Sequence, residues 1–257
     1  MADPVRCAIE GGVATVTLAR PEKRNALDTP TVRGLGAAFD RCEADRSVRV
    51  VVVRGEGPAF CAGMDLDELR RQQQAPADPE HGVTLLLQRI ERFPLPTIAM
   101  IQGPAMAGGC ELALHCDLRL AADTARFAMP LARLGLIVPF PLGRKLVEEL
   151  GPGPTRELLY TGQTMDARRA LEIGLVHRVV PPAALAATTY ELARAVAANA
   201  PLALAGLKAV VARALSARAQ IAHADLDEAA SRVRRSADAR EGVTAMLEKR
   251  PPVFRGE

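Results

Sequence analysis

The sequence predicts an α/β fold followed by a helical C-terminal region, and three observations carry that expectation. Val48 to Val53 is nearly continuous in β-branched residues, as expected of a strand covered on both faces. Thr97 to Ile101 is a second short apolar run, and each run passes through a glycine-bearing loop into good helix formers. Beyond Pro181-Pro182 the chain turns alanine-rich, with apolar residues at helical spacing.

A chain of 257 residues can form one large α/β domain or a domain with an appendage, and in either case it buries a substantial core. The net charge of +3 is small, and Lys and Arg are scattered rather than gathered into a basic tract. With no Trp and two Tyr there is little to stack bases on, so nucleic acid is not an expected partner. Five cysteines, at 7, 42, 61, 110 and 116, form no CxxC pair, and no metal-binding cluster is expected. The first residues lack the apolar core of a signal peptide and no 18-residue apolar run occurs, so the expectation is a reduced cytoplasmic protein without a membrane segment.

In chain order, Val5 to Glu10 and Val13 to Ala19 read as a hairpin through Gly11-Gly12. A loop from Arg20 to Leu27 leads to Asp28 and Thr29, either of which caps a helix running to about Ala44. Lys23 and Arg24 in that loop read, by residue type, as a solvated pair. After Val48 to Val53, Asp65 is placed to cap the next helix. Gln72 to Glu80 has the composition of a mobile loop, and a helix from about Gly82 to Phe93 returns the chain to Thr97.

The stretch Gly103-Pro-Ala-Met-Ala-Gly-Gly-Cys-Glu-Leu-Ala-Leu-His-Cys-Asp117 carries the chemistry. Its glycines sit where a strand ends and a helix begins. The first N–H groups of a helix lack intrahelical partners and its dipole makes that end positive, so the Gly108 N–H can stabilise a developing oxyanion. Glu111, in the first turn, can exchange a proton with a substrate held there, or can simply serve the dipole. His115 reads as a core or interface histidine.

Asp117 to Ala121 and Ala125 to Ala128 follow as short strands. Glu148 and Glu149 lie on a predicted helix and are expected to face solvent. Gly153 to Thr161 and Asp166 to Ile173 read as helical and Val176 to Val180 as a closing strand. Helices are then expected at Ala184 to Asn199, Leu202 to Ala217, Ile221 to Ser236 and Arg240 to Lys249.

Ala59-Phe-Cys-Ala-Gly-Met-Asp-Leu66 and the Gly103 to Asp117 stretch together resemble the crotonase superfamily, the enoyl-CoA hydratase/isomerase group. Arg20 to Leu27, Tyr160 to Val176 and Leu247 to Phe254 extend the resemblance, in the family's order, over nearly the whole chain. It implies a crotonase (ClpP-like) spiral of repeated ββα units over residues 1–181. Residues 182–257 would form a helical trimerisation and lid region, in a homotrimer or a dimer of trimers.

The implied substrate is an acyl-CoA thioester, with coenzyme A as part of the substrate and no other cofactor. By the resemblance, the Met64 N–H is the second oxyanion donor facing that of Gly108, each such donor being worth about 3 to 4 kcal/mol. Lys23 and Arg24 would meet the CoA phosphates, for which their cations suit. The backbone of Ala26 and Ala62 would lie against adenine, with Asp65 and Leu66 continuing the substrate wall, and Lys249 and Phe254 near the CoA.

The sequence also departs from the family's pattern. Hydratases of the family carry a second glutamate after a Phe-Gly-x-Pro-like turn; here the turn is Phe127-Ala-Met-Pro130 and the next residue is Leu131. Pro139, Phe140 and Pro141 replace small flexible residues and are expected to reshape the floor of the acyl pocket. The leading expectation is an enoyl-CoA hydratase/isomerase-family enzyme working through an enolate, with Glu111 the one glutamate retained from the family's pair, Leu131 in place of the second, and a substrate group or another side chain left open as its substitute. A decarboxylase or other acyl-CoA lyase, and a non-catalytic acyl-CoA-binding protein, are the alternatives.

Overall fold

A computed structural model of the chain describes residues 3–72, 79–215 and 221–256. Strands β1 (Val5–Glu10) and β2 (Val13–Leu18) form the expected hairpin. The Asp28 side chain caps helix α1 (Thr29–Ala44) by accepting the Thr31 N–H at 2.9 Å. Then come β3 (Val50–Gly55), α2 (Leu66–Gln72), α3 (Pro79–Arg92), β4 (Thr97–Ile101), β5 (Ala105–Met106) and α4 (Gly108–Leu114). They are followed by β6 (Leu118–Ala122), β7 (Arg126–Ala128), a 3-10 helix (Pro130–Leu134), α5 (Phe140–Leu150), α6 (Pro152–Thr161), β8 (Met165–Asp166), α7 (Ala167–Glu172) and β9 (Arg178–Val180). The last helices are α8 (Pro182–Ala197), α9 (Pro201–Leu215), α10 (Ala224–Arg234) and α11 (Ala237–Leu247).

The large sheet has the order β1-β2-β3-β4-β6-β9, antiparallel between β1 and β2 and parallel elsewhere. A smaller sheet has the order β5-β7-β8, and Cys61 bridges to Ala105 beside it. The chain therefore winds in similar turns. Each of β3, β4 and β6 is followed by a segment in the second layer (Cys61, β5 and β7 respectively) and then by a helix.

The valines of β3 explain why that strand is apolar throughout. Val51 and Val53 face one core with Phe39, Phe60 and Ile90, while Val50 and Val52 face another with Leu185 and Ala193 of α8. Helix α8 thus covers the second face of the large sheet. In the first core, Phe39 and Phe93 meet edge to face with centroids 4.9 Å apart.

Several expectations need adjusting. The helix expected from Gly82 begins at Pro79, and the loop expected to be mobile, Gln72 to Glu80, falls largely on residues 73–78, outside the described residues. Glu148 and Glu149 do not face solvent: Glu148 is ion-paired with Arg144, and Glu149 lies 2.8 Å from both Arg119 and Lys145. Spacing along α5 shows the pairs within that helix, but not that Arg119 and Glu91 arrive from elsewhere. Glu91 adds contacts at 3.2 Å to Arg144 and 3.3 Å to Lys145. Burial opposes charge on Glu91 and Glu149, and the surrounding cations overcome it, holding both carboxyls below their ordinary range.

Helix α9 buries none of its residues and leaves Leu202, Leu207, Val210 and Val211 exposed. Lys208 pins it to the body by donating to Asp117 at 2.7 Å and to the Leu95 carbonyl at 3.1 Å. No single described helix is long and apolar enough to cross a membrane; α8 and α9 pass that test only as a pair, bent by 104°.

Candidate active site

Three backbone segments converge on one point. Asn25, fully buried, seats the first: its Nδ2 donates to the carbonyls of Ala59 at 2.8 Å and Glu56 at 2.9 Å, and its Oδ1 accepts the Arg20 N–H at 3.0 Å. Ala62 then donates to the Arg24 carbonyl at 3.0 Å, Leu27 to Gly63 at 2.7 Å and Asp65 to Leu27 at 3.0 Å. In this parallel bridge Leu27 engages the neighbours of Met64, and the Met64 N–H points to the other side.

On that other side α4 begins. Its N-cap, Ala107, has φ 47° and ψ −117°, a conformation that costs a residue with a Cβ about 1–3 kcal/mol. Hydrogen bonds hold it there: its N–H donates to Ala128 at 2.8 Å, and its carbonyl accepts from Glu111 at 3.0 Å. The result is that Gly108, first in the helix, has no intrahelical acceptor for its N–H. Among the described residues neither the Met64 nor the Gly108 N–H meets an acceptor. The Met64 nitrogen lies 3.7 Å from where a Cβ on Gly108 would stand, so the two residues face each other.

Glu111 is one turn further along α4, 1% exposed, with neither carboxyl oxygen hydrogen-bonded. Burial raises its pKa well above the ordinary carboxyl value, opposed by the charge of Lys145. Burial therefore favours the neutral carboxyl over the carboxylate. His115 lies behind it, with Nδ1 2.7 Å from the Glu111 carbonyl and 3.9 Å from its carboxyl. Because a carbonyl only accepts, Nδ1 carries the proton by assignment from this bond. Burial pushes the His115 pKa down to about 4, so the ring is neutral and offers Glu111 no cation.

These groups open onto a cavity of about 500 Å³ whose walls are mainly apolar. Met64, Gly108, Glu111, Leu131 and Pro139 share it, as do Arg24, Ala62 and Leu66 at its edge. Among its described lining residues Glu111 is the only carboxyl and Arg24 and Arg133 are the only cations.

Other residues singled out by the sequence lie elsewhere. Lys23 and Asp65 line a separate polar hollow of about 420 Å³ with Arg20, Arg70 and Arg71. Lys23 is 3.5 Å from Asp67, and Asp65 accepts the Asp67 N–H at 3.1 Å and pairs with Arg20 at 3.4 Å, so it starts α2 as its residue type suggested. Ala26 is buried beneath its loop, its carbonyl accepting from Arg20 at 2.9 Å. Phe140 lies outside the cavity wall; as the first residue of α5 it stacks on His223 with centroids 4.6 Å apart. Lys249 and Phe254 are exposed and outside the cavity; from that end of the chain it is Met246 that reaches its wall.

Sequence reasoning missed Ala107, Arg133 and Met246. Alanine carries no mark of a positive φ, and nothing local distinguishes an arginine on a cavity wall from one on the surface.

Comparison with known proteins gives a consistent picture. The enoyl-CoA hydratase/isomerase family model matches residues 8–257. A putative enoyl-CoA hydratase of Thermus thermophilus is 37% identical over 249 residues, covering 95% of this chain and 98% of the relative. Among solved structures, an enoyl-CoA hydratase/isomerase from Xanthobacter autotrophicus Py2 is 33% identical with a TM-score of 0.85, covering 97% of each chain. A methylmalonyl-CoA decarboxylase complexed with 2S-carboxypropyl-CoA is 28% identical with a TM-score of 0.90, covering 100% of each chain.

Proposed function

The chain belongs to the enoyl-CoA hydratase/isomerase family of the crotonase superfamily, and from that premise we propose that it processes an acyl-CoA thioester through an enolate, with Glu111 as its sole acid and base. The observation that carries this reading is the unpartnered Glu111 carboxyl beside two free, facing N–H groups in an apolar cavity. The thioester oxygen accepts from Met64 and Gly108, which stabilise the charge it gains in the enolate. Leu131 stands in the wall where the family's pattern has a second glutamate, so one carboxyl must serve for two.

The freedom of both Glu111 oxygens makes that possible for hydration. The protonated oxygen delivers its proton to Cα while the other takes a proton from the water adding at Cβ. Glu111 ends the cycle protonated, as it began.

In the polar hollow, where Asp28 and Asp65 pair with Arg20 and Asp67 lies near Lys23, Arg70 and Arg71 would be the cations offered to the phosphates of CoA, and no cofactor besides that moiety is invoked. Residues 182–257 would serve self-association and closure of the site, with the exposed apolar face of α9 as the contact in a homotrimer or dimer of trimers. Five free cysteines, four of them buried, fit a reduced cytoplasmic setting.

A second reading is favoured by the burial that raises the Glu111 pKa and so favours its neutral, proton-donating form. A carboxylated thioester that loses CO2 leaves an enolate, which needs the same two N–H groups and one proton donor but no base. The test compares loss of conjugated enoyl absorbance from 2-enoyl-CoA thioesters with CO2 release from malonyl-type thioesters, for wild type and Glu111→Gln. Glu111-dependent enoyl loss supports hydration, and Glu111-dependent product formation from malonyl thioesters alone supports decarboxylation. Turnover unaltered in Glu111→Gln would remove that residue from either scheme.

A further inference from the structure

We propose that the acyl group accepted by this site carries a carboxylate of its own, held by Arg133. This rests on the acyl-CoA reading above, though not on which reaction follows.

Arg133 stands on the 3-10 helix between Leu131 and Leu134, all three lining the cavity. Its guanidinium has a hydrogen bond of 3.5 Å to the Gly162 carbonyl, and no carboxylate among the described residues pairs with it. Arginines such as Arg33, Arg156 and Arg178 likewise have no acid partner among the described residues; what sets Arg133 and Arg24 apart is that they line the apolar cavity. Arg133 is exposed at the cavity rim, where its guanidinium remains available to a ligand.

Its arm is also seated. Gly162 has φ 56°, and a Cβ there would come within 2.9 Å of Arg133 Cδ and 3.0 Å of Cγ. Only glycine lets the stem run across that loop, with Thr164 beside it on the wall. The other cavity cation, Arg24, belongs to the loop that accepts the Ala62 N–H, the loop that also carries Lys23 of the polar hollow. Arg133 belongs instead to the elements that carry Leu131.

A guanidinium fork with free N–H groups beside an apolar wall matches a carboxylate at the end of a short methylene chain. The ligand class is a dicarboxylyl-CoA, with a thioester at one end and a free carboxylate at the other.

Calorimetric titration of malonyl-, succinyl-, glutaryl- and adipyl-CoA, each against the methyl-terminated thioester of matching length and against free CoA, tests this. The proposal expects at least one dicarboxylyl thioester to bind tenfold or more tightly than its match. Arg133→Gln should abolish that preference and Arg133→Lys should keep part of it. It is overturned if no dicarboxylyl thioester is preferred, or if Arg133→Gln weakens free CoA by the same factor, which would put the guanidinium on the phosphates. Failure of CoA and every thioester to bind would overturn the acyl-CoA reading itself, and this inference with it.

Discussion

Gly109 and Cys61 are packed so closely that a Cβ on Gly109 would collide with the Cys61 carbonyl oxygen. This contact presses the start of α4 onto the loop after β3, and it sets the spacing between the Gly108 and Met64 N–H groups. Two adjacent glycines therefore do different work. At Gly108 a Cβ meets only ordinary contacts, 3.5 Å to Leu27 and 3.7 Å to the Met64 nitrogen.

Gly109→Ala should accordingly destabilise the protein by about 3 kcal/mol or more, or prevent folding, because two backbones must separate. Gly108→Ala should fold with undiminished stability, since alanine suits a helix, yet lose about 100-fold or more in turnover as its methyl enters the space between the donors. Denaturant unfolding and steady-state rates on both variants check this pair. Equal stability of the two, or full activity of Gly108→Ala, would contradict the assignment.

The strain at Ala107 makes a separate prediction. Glycine tolerates φ 47° without penalty but loses more chain entropy on folding. Ala107→Gly should therefore leave stability unchanged or raise it by up to about 2 kcal/mol in denaturant unfolding. A clear loss would show that the conformation is not strained.

Glu111 and His115 should tilt the pH dependence of stability in opposite directions. The pKa of His115 falls from 6.5 to about 4 on folding, so the unfolded chain binds more protons in that window. The neutral ring's contribution is present above 6.5 and is lost as pH falls toward 4, by roughly 3 kcal/mol in all. Glu111, raised above 4.5, behaves oppositely: its contribution is present below 4.5 and declines as pH rises toward the folded-state value. In melts across this range His115→Leu should flatten the acid side, and the stability of Glu111→Gln relative to wild type should grow as pH rises above 4.5. Parallel curves for variants and wild type would refute both assignments.

How much of this was legible in the sequence depended on the range of the interactions. The strands and the placement of Gly108 and Glu111 were readable because runs such as Val48 to Val53 and a glycine turn before helix formers are local patterns. Leu131 was found by its position after the Phe127 to Pro130 turn, and the structure puts it in the cavity wall. Glu149 was misplaced because its partner Arg119 is 30 residues away, on β6. Phe140 was expected on the pocket floor, but its partner His223 comes from beyond α9. The strain at Ala107 had no local signature at all.

The central claim is that the two N–H groups and Glu111 together make and quench an enolate. The most direct test is exchange of the Cα protons of a saturated acyl-CoA with solvent deuterium, followed by mass spectrometry, since exchange requires only that ionised Glu111 take a Cα proton to form the enolate and that a deuteron be returned. The account predicts exchange by the wild type that is lost in Glu111→Gln and strongly reduced in Gly108→Ala. Exchange undiminished in Glu111→Gln, or none in a wild type that binds the thioester, would contradict it.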